Sequence, residues 1–154
     1  MRNSFGNDSE YLESRVLSAT PAGLIEILYE KALEHLTKAQ VQLHSGEILE
    51  RGLSISRTQA IINELVNCLD RKQGGEIAQN LLRLYDYSNV RLTEAHRLGS
   101  EAILKEVAGI LQNMLDGWRE ANRLTESSRI GEPFTADHVM VQPEASPALR
   151  SWTA

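Results

Sequence analysis

The stretch that decides the fold runs from residue 60 to residue 95 and reads AIINELVNCLDRKQGGEIAQNLLRLYDYSNVRLTEA. Its apolar residues recur at helical spacing on both sides of Gly74-Gly75, so it predicts two amphipathic helices joined at a glycine hinge. Helices of this length are marginal in water until another element covers their apolar face. We therefore expect the rest of the chain to supply that cover.

Two further helices are predicted, one before and one after the two helices of this stretch. Thr20-Pro21 marks a firm start, because the threonine hydroxyl accepts an unpaired backbone N–H and proline needs none at the first helical position. The four predicted helices cover about residues 21–43, 47–69, 76–95 and 101–121. Their predicted core positions are Leu24, Ile25, Leu28, Tyr29, Ala32, Leu36, Ala39 and Leu43; Ile48, Ile55, Ile62 and Leu69; Ile77, Leu81, Leu84, Leu92 and Ala95; and Ile103, Leu104, Val107, Ile110, Leu111, Met114, Leu115 and Trp118.

Four helices joined by short loops predict an all-α fold, an antiparallel four-helix bundle over residues 20–123. Residues 1–19 show little helical patterning and are predicted to be a flexible N-terminal segment. Residues 124–154 are rich in serine, glycine and proline, which predicts a mobile, disordered tail. Phe134 and Trp152 are unusual in such a tail and indicate a weak contact with the bundle or with another protein.

Composition limits the class of protein. The 154 residues, 42% of them hydrophobic and 5% aromatic, suffice for one modest core. The net charge of −5 argues against binding nucleic acid or an anionic membrane by bulk electrostatics. One cysteine, no apolar signal segment at the start and no apolar run of about 20 residues predict a cytoplasmic protein without integral membrane insertion.

No catalytic or metal site emerges from the pattern. Di-iron bundles need Glu-x-x-His pairs, and none of His35, His44 and His96 follows a glutamate at that spacing. Zinc ligation lacks a second cysteine, and Cys68 has no histidine beside it in sequence. Gly74-Gly75 lacks the strand and the Lys-Ser/Thr ending of a phosphate loop. We therefore expect a binding protein that is not an enzyme and has no cofactor.

One alternative function rests on a histidine. His35 and Lys38 lie one turn apart, a partial likeness to a histidine phosphotransfer bundle in which His35 would accept the phosphoryl group. That pattern usually continues with a glycine, and Ala39 stands there instead. A histidine at the solvent edge beside a surface lysine explains the pair more simply.

The two central helices carry more apolar surface than one seam needs. A second strip contains Leu49, Leu53 and Ala60 on one helix, and Leu82 and Tyr85 on the next. The strip predicts a groove for an amphipathic helix of a partner, with the alternative that these residues widen the core contact.

Five segments, in order and spacing, resemble the FliS family of flagellin export chaperones. They are Tyr11-Leu12 and residues 16–21 (VLSATP), 24–33 (LIEILYEKAL), 61–70 (IINELVNCLD) and 75–92 (GEIAQNLLRLYDYSNVRL). The likeness spans about residues 11–121, and residues 125–154 have no counterpart in the short typical members. Ser88 departs from the family pattern, where an apolar residue is more usual.

The resemblance implies a cytoplasmic helical bundle that binds the disordered C-terminal segment of newly made flagellin and keeps it from polymerising early. It implies no nucleotide or metal. Tyr11 matches a tyrosine that the family uses near its contacts with client and export gate. Together with the apolar strip, this gives a predicted client-binding set of Tyr11, Leu12, Leu49, Leu53, Ala60, Leu82 and Tyr85. We further expect Tyr11 and Leu12 to dock on the empty groove and to be displaced by the client.

Overall fold

The computed structural model describes residues 4–128, which form five helices and no strand. The helices are α1 (Ser4–Ser18), α2 (Pro21–His44), α3 (Ile48–Asn67), α4 (Gly75–Leu98) and α5 (Glu101–Ser128). The all-α prediction is confirmed over this range. Residues 1–3 and 129–154 lie outside it, and so does most of the predicted mobile tail.

Helix α2 begins as its sequence predicts. The Thr20 hydroxyl accepts the Gly23 N–H at 3.1 Å, and Pro21 occupies the first helical position. Helix α5 ends later than predicted, since residues 124–128, assigned to the tail, are helical. The hydroxyls of Thr125 and Ser128 bond back to the carbonyls of Ala121 and Leu124, so these residues fit the helix and do not end it.

The N-terminal segment, in which we saw little helical patterning, contains helix α1. Leu12 and Val16 lie four residues apart and are both half-buried, which gives α1 a short apolar side. Arg15 ties the helix to the rest of the molecule through a 2.9 Å ion pair with Glu30 of α2. The apolar pattern of this segment is weak because only Leu12 and Val16 form the apolar side of α1, and the remaining contact is the ion pair of Arg15.

Each long helix packs against two others: α2 contacts α3 and α5, and α4 contacts α3 and α5. Side-chain pairs give the directions of two of these contacts. The Trp118 indole donates to the Ala22 carbonyl at 3.0 Å, and His44 lies 3.1 Å from Glu101, so the start of α2 meets the late part of α5 and its end meets the start of α5. Neighbours α2 and α5 therefore run in opposite directions.

Helices α3 and α4 are paired in the same way. Arg51, early in α3, contacts His96 near the end of α4, and Asn63, late in α3, bonds Asn89 further back along α4. The chain turns between them at Gly75, whose φ of +51° lies in the left-handed region that favours glycine. The predicted glycine hinge is thus the point where α4 begins.

One core lies between the four long helices. Its largest fully buried side chains come from all of them: Leu36 of α2, Ile61, Ile62 and Leu65 of α3, Tyr85 and Leu92 of α4, and Leu104, Val107, Leu111 and Leu115 of α5. Burying one such aliphatic side chain contributes about 1.5 to 3 kcal/mol. The helices therefore depend on one another, as the sequence of residues 60–95 predicts.

Two tyrosines meet inside this core. Tyr29 of α2 and Tyr85 of α4 are 3% and 2% exposed, and their hydroxyls hydrogen-bond each other. Burial raises the pKa of both phenols above the ordinary value. This hydrogen bond joins α2 to α4 across the core.

The predicted core face of α4 is confirmed in part. Leu92 and Ala95 are buried and Leu81 packs against the core, but Ile77 and Leu84 are 61% and 40% exposed. Ala78, Tyr85 and Ser88 are buried in addition. The Ser88 hydroxyl donates to the Leu84 carbonyl at 2.7 Å, so this polar residue has its hydrogen bond inside the core.

One predicted core position of α3 is also exposed. Ile48 is 63% exposed, because it lies in the first turn of α3 at the end of the molecule, while Ile55 and Ile62 are buried as predicted.

The tyrosine pair predicts a double-mutant result in urea unfolding. Tyr85→Phe leaves the Tyr29 hydroxyl buried without a partner, and we expect a loss of about 1 to 3 kcal/mol in the free energy of unfolding. Tyr29→Phe should cost a similar amount. The double variant should cost clearly less than the sum of the two, since no hydroxyl is then left unpaired. Additive losses would show that the bond contributes nothing to stability.

Candidate functional site

A polar seam joins the outer edges of α3 and α4. The Gln59 amide donates to the Asn89 carbonyl at 3.0 Å and to the Thr93 hydroxyl at 2.9 Å, and the Asn89 amide donates to Asn63 Oδ1 at 3.0 Å. The Asn89 Oδ1 atom is buried and accepts no hydrogen bond within the described chain. We call these four residues the α3–α4 seam; its hydrogen bonds fix the two amides between the helices.

Apolar side chains of α3 flank the seam. Leu49 and Leu53 are 74% and 51% exposed, and Ala60 is exposed as well. Spacings of four and seven residues place the three on one side of α3 at 100° per residue. Their exposure answers the question that the sequence left open: these residues do not widen the core, and they form an apolar stripe on the surface.

On α4 the predicted residues divide. Leu82 is half-buried and packs against the core, so only part of it is open. Tyr85 is 2% exposed with its hydroxyl bonded to Tyr29, which contradicts its prediction as a groove residue: a partner cannot reach it while the core stays closed. Val90, which was not predicted as a site residue, is 67% exposed next to Asn89. In the sequence, Val90 falls on neither the predicted core face of α4 nor the strip of Leu82 and Tyr85, and this position indicated an exposed apolar residue.

The predicted residues do not share one pocket. Arg51 lies beside His96 and Asn63 beside Asn89, so Leu82, seven residues before Asn89, is level with the end of α3. Leu53 lies near the other end, roughly 20 Å away at 1.5 Å per residue. The candidate site is therefore an elongated surface with Leu53 towards one end, Ala60 and Val90 near the middle and Leu82 at the other.

The two helices are in close contact beside Arg51. This arginine is only 7% exposed and donates to the His96 carbonyl at 3.1 Å and to His96 Nδ1 at 3.3 Å. A Cβ on Gly52 would lie 3.1 Å from His96 Cε1, closer than most real contacts. The absence of a side chain at Gly52 keeps this end of the seam closed.

Helix α1 lies on a different side of the molecule. Its Arg15 pairs with Glu30 of α2, which also contacts Arg119 of α5 at 3.1 Å. Tyr11 is 67% exposed and Leu12 is half-buried. The structure therefore places Tyr11 and Leu12 with α2 and α5, and not on the α3–α4 seam where we expected them to dock.

His35 does not have the environment of a phosphoryl acceptor. It is partly buried, its Nδ1 atom is buried without a partner, and burial followed by the charge of Lys38 lowers its pKa to about 4. Lys38 itself pairs with Glu34 at 3.3 Å. The structure thus gives no support to the phosphotransfer alternative.

Cys68 is equally unsuited to nucleophilic chemistry. It is 2% exposed, and burial raises the pKa of its thiol to about 11, so the reactive thiolate is scarce at neutral pH. Within residues 4–128 no group of three or more His, Cys, Asp or Glu side chains is placed to hold a metal ion. Among the same residues, no helix combines the length and the hydropathy that a membrane span requires.

Comparison with known proteins decides the family. A family model described as "Flagellar protein FliS" matches residues 4–125. The chain belongs to the FliS family. FliS proteins are chaperones and not enzymes, which confirms the prediction that this chain is not an enzyme.

Relatives from several bacteria support the FliS assignment over most of the chain. The flagellar secretion chaperone FliS of Salmonella typhimurium is 39% identical over 110 residues, which are 71% of this chain and 82% of that protein. FliSB of Pseudomonas aeruginosa is 37% identical over 70% of this chain and 85% of its own length. FliS of Campylobacter jejuni is 33% identical over 79% and 94%. The FliS match ends before the last residues of α5, so residues 126–154 extend beyond it.

The lowered pKa of His35 predicts how stability depends on pH. The unfolded chain binds a proton at this residue near pH 6.5, whereas the folded chain binds it only near pH 4. Between these values the unfolded state holds more protons, so the free energy of unfolding should fall as the pH falls, by at most about 1.4 kcal/mol per pH unit. Urea unfolding of the wild type and of His35→Gln between pH 7 and pH 4 measures the difference. If the free energy of unfolding depends on pH in the same way in both proteins, the pKa of His35 is not lowered by folding.

Proposed function

We propose that this protein is a cytoplasmic export chaperone that binds the disordered C-terminal segment of flagellin, prevents its premature polymerisation and supports its delivery to the flagellar export apparatus. The observation that carries the proposal is the exposed apolar stripe of Leu49, Leu53 and Ala60 beside the α3–α4 seam, in a chain whose relatives are named flagellar secretion chaperones.

The shape of the surface suits a long, unfolded client. Anchors spread over roughly 20 Å match apolar residues on successive turns of a client helix laid along the seam. Between the anchors, the exposed side chains of Asn63 and Thr93 are available to polar groups of the client. The client stripe covered in this way is the surface that would otherwise pack against other flagellin molecules.

Weak binding per unit area is an advantage for an export chaperone. A segment that folds on binding loses about 2 to 5 kcal/mol of its gross interaction energy to ordering, so a large contact stays releasable. We further propose that α2–α5 form an antiparallel four-helix bundle that keeps the seam rigid. The ring of neighbour contacts and the opposed directions of the α2–α5 and α3–α4 pairs support this architecture.

A second surface is proposed on α1. Tyr11 projects into solvent beside Arg15, whose guanidinium lies 5.9 Å from the centre of its ring. Because Arg15 of α1 pairs with Glu30 of α2 and not with a seam residue, an occupied seam leaves Tyr11 exposed. We propose Tyr11 and Leu12 as contacts for the client or for a component of the export gate.

Client binding can be tested with matched surface variants. We expect Leu53→Asp and Leu82→Asp each to weaken binding of full-length flagellin by roughly 2 kcal/mol, about 30-fold in Kd, since a charge replaces an apolar anchor. Val41→Asp is the control, because Val41 is 59% exposed on α2. Isothermal titration gives the affinities and circular dichroism the helicity.

Flagellin that lacks its C-terminal segment is the second control, and it should not bind the wild type. If it binds as well as full-length flagellin, or if Val41→Asp weakens binding as much as Leu53→Asp, the proposed client segment or the proposed surface is incorrect.

The role of α1 is tested separately. Tyr11→Ala and deletion of residues 1–18 should reduce binding of flagellin or of the export gate component several-fold and leave the helicity of α2–α5 in place. Leu17→Ala is the matched control, since Leu17 is 73% exposed on the same helix. Unchanged affinity for both partners in both variants would rule out a contact at Tyr11 and Leu12.

A further inference from the structure

The turn between α3 and α4 carries an open surface that the proposed client site does not use. A depression of about 500 Å³ lies beside it. It is lined by Val66, Asn67, Leu69, Asp70, Arg71, Lys72 and Gln73. Ile77, in the first turns of α4, is 61% exposed close by in sequence. We call this area the turn surface; it combines apolar side chains with two cations.

The backbone of the turn is fixed by one of its own side chains. Asp70 Oδ1 accepts the backbone N–H groups of Lys72 at 3.0 Å and Gln73 at 3.1 Å. Arg71 and Lys72 are exposed, and neither forms an ion pair with any residue between 8 and 128. The turn surface therefore presents two cations that form no ion pair with the described residues, beside the Asp70 carboxylate.

Helix α5 delivers the rest of the chain to the same end of the molecule. Trp118 shares a small apolar cavity of about 30 Å³ with Cys68 and Leu69, the residues that follow α3. Ser128 follows roughly 15 Å further along α5. The sixteen residues from 129 to 144 would span up to about 50 Å if fully extended. The chain that follows α5 is therefore long enough to return to the turn surface.

The composition of those residues complements the turn surface. Residues 130–149 contain no lysine or arginine. They carry three carboxylates, Glu132, Asp137 and Glu144, and an apolar group that consists of Phe134, Val139, Met140 and Val141. This part of the chain also lies beyond the residues that match the FliS family, which end at 125. Its acidic and apolar character therefore requires an explanation particular to this chain.

We propose that residues 132–144 bind in cis to the turn surface, with their carboxylates facing Arg71 and Lys72 and their apolar side chains covering Val66, Leu69 and Ile77. Tethering makes a weak contact sufficient, because a short linker gives an effective concentration on the order of millimolar. The contact is intramolecular and is independent of the client site along the seam.

Paramagnetic relaxation in the full-length protein tests this contact. Cys68 is 2% exposed, so a nitroxide can be attached selectively to a cysteine introduced by Met140→Cys. We expect the backbone amide signals of residues 66–77 to lose most of their intensity, and those of residues 41–49, at the far end of the molecule, to keep it. Mixing labelled protein with unlabelled ¹⁵N protein should produce no such loss, because the contact lies within one chain.

Charge reversal provides the second arm. Arg71→Glu combined with Lys72→Glu should restore the signals of residues 66–77, and adding Glu132→Lys and Asp137→Lys to that variant should quench them again. Arg97→Glu with Lys105→Glu is the matched control, since both side chains are 64% or more exposed at the other end of the molecule. The proposal is overturned by unquenched signals at residues 66–77, by quenching that survives charge reversal, or by quenching between molecules, which would indicate a second copy as the occupant.

Discussion

The hydrogen bond between Tyr29 and Tyr85 is the constraint on which the arrangement of the surface depends. Both hydroxyls are buried, and burying one without a partner would cost about 1 to 3 kcal/mol. Rotating α4 to bury Ile77 and Leu84 would carry Tyr85 away from Tyr29. The rotation of α4 is therefore set from inside the core, and the small residues Ala78 and Ser88 accompany Tyr85 inward.

This rotation determines what the outside of the molecule offers. It places Asn89 and Thr93 against Gln59 and leaves Val90 in solvent next to them. The seam thus follows from core packing. The amides of Gln59 and Asn89 are fixed by contacts between the helices, and they lie beside apolar side chains that point away from the core. Such a surface costs the free protein little, because the apolar residues are interrupted by polar ones, yet it gives a helical partner several anchors.

Much of the fold was readable from the sequence, and the reasons for success and failure are physical. Thr20-Pro21 fixed the start of α2 because capping is local chemistry. The core face of α5 was clear because large aliphatic residues occupy it almost without interruption. The face of α4 was only partly right: Leu92 and Ala95 are buried as predicted, whereas Ile77 and Leu84 are not. Apolar periodicity favours Ile77 and Leu84, but the core takes Tyr85, whose hydroxyl finds a partner 56 positions away in sequence. Helix α1 was missed because its ion pair with Glu30, 15 positions from Arg15, lies outside the local pattern of the segment. The stripe on α3 was predicted from residue spacing. Tyr85 was added to the site because spacing alone does not reveal that its hydroxyl bonds Tyr29 inside the core.

Methyl NMR of the full-length protein during titration with the C-terminal segment of flagellin tests the central claim most directly. The account predicts that the largest shifts fall on the methyl groups of Leu49, Leu53, Leu82 and Val90, with Ile62 and Val41 little changed. Shifts confined to Ile77 and Leu84 on the other side of α4, with none on α3, would contradict it.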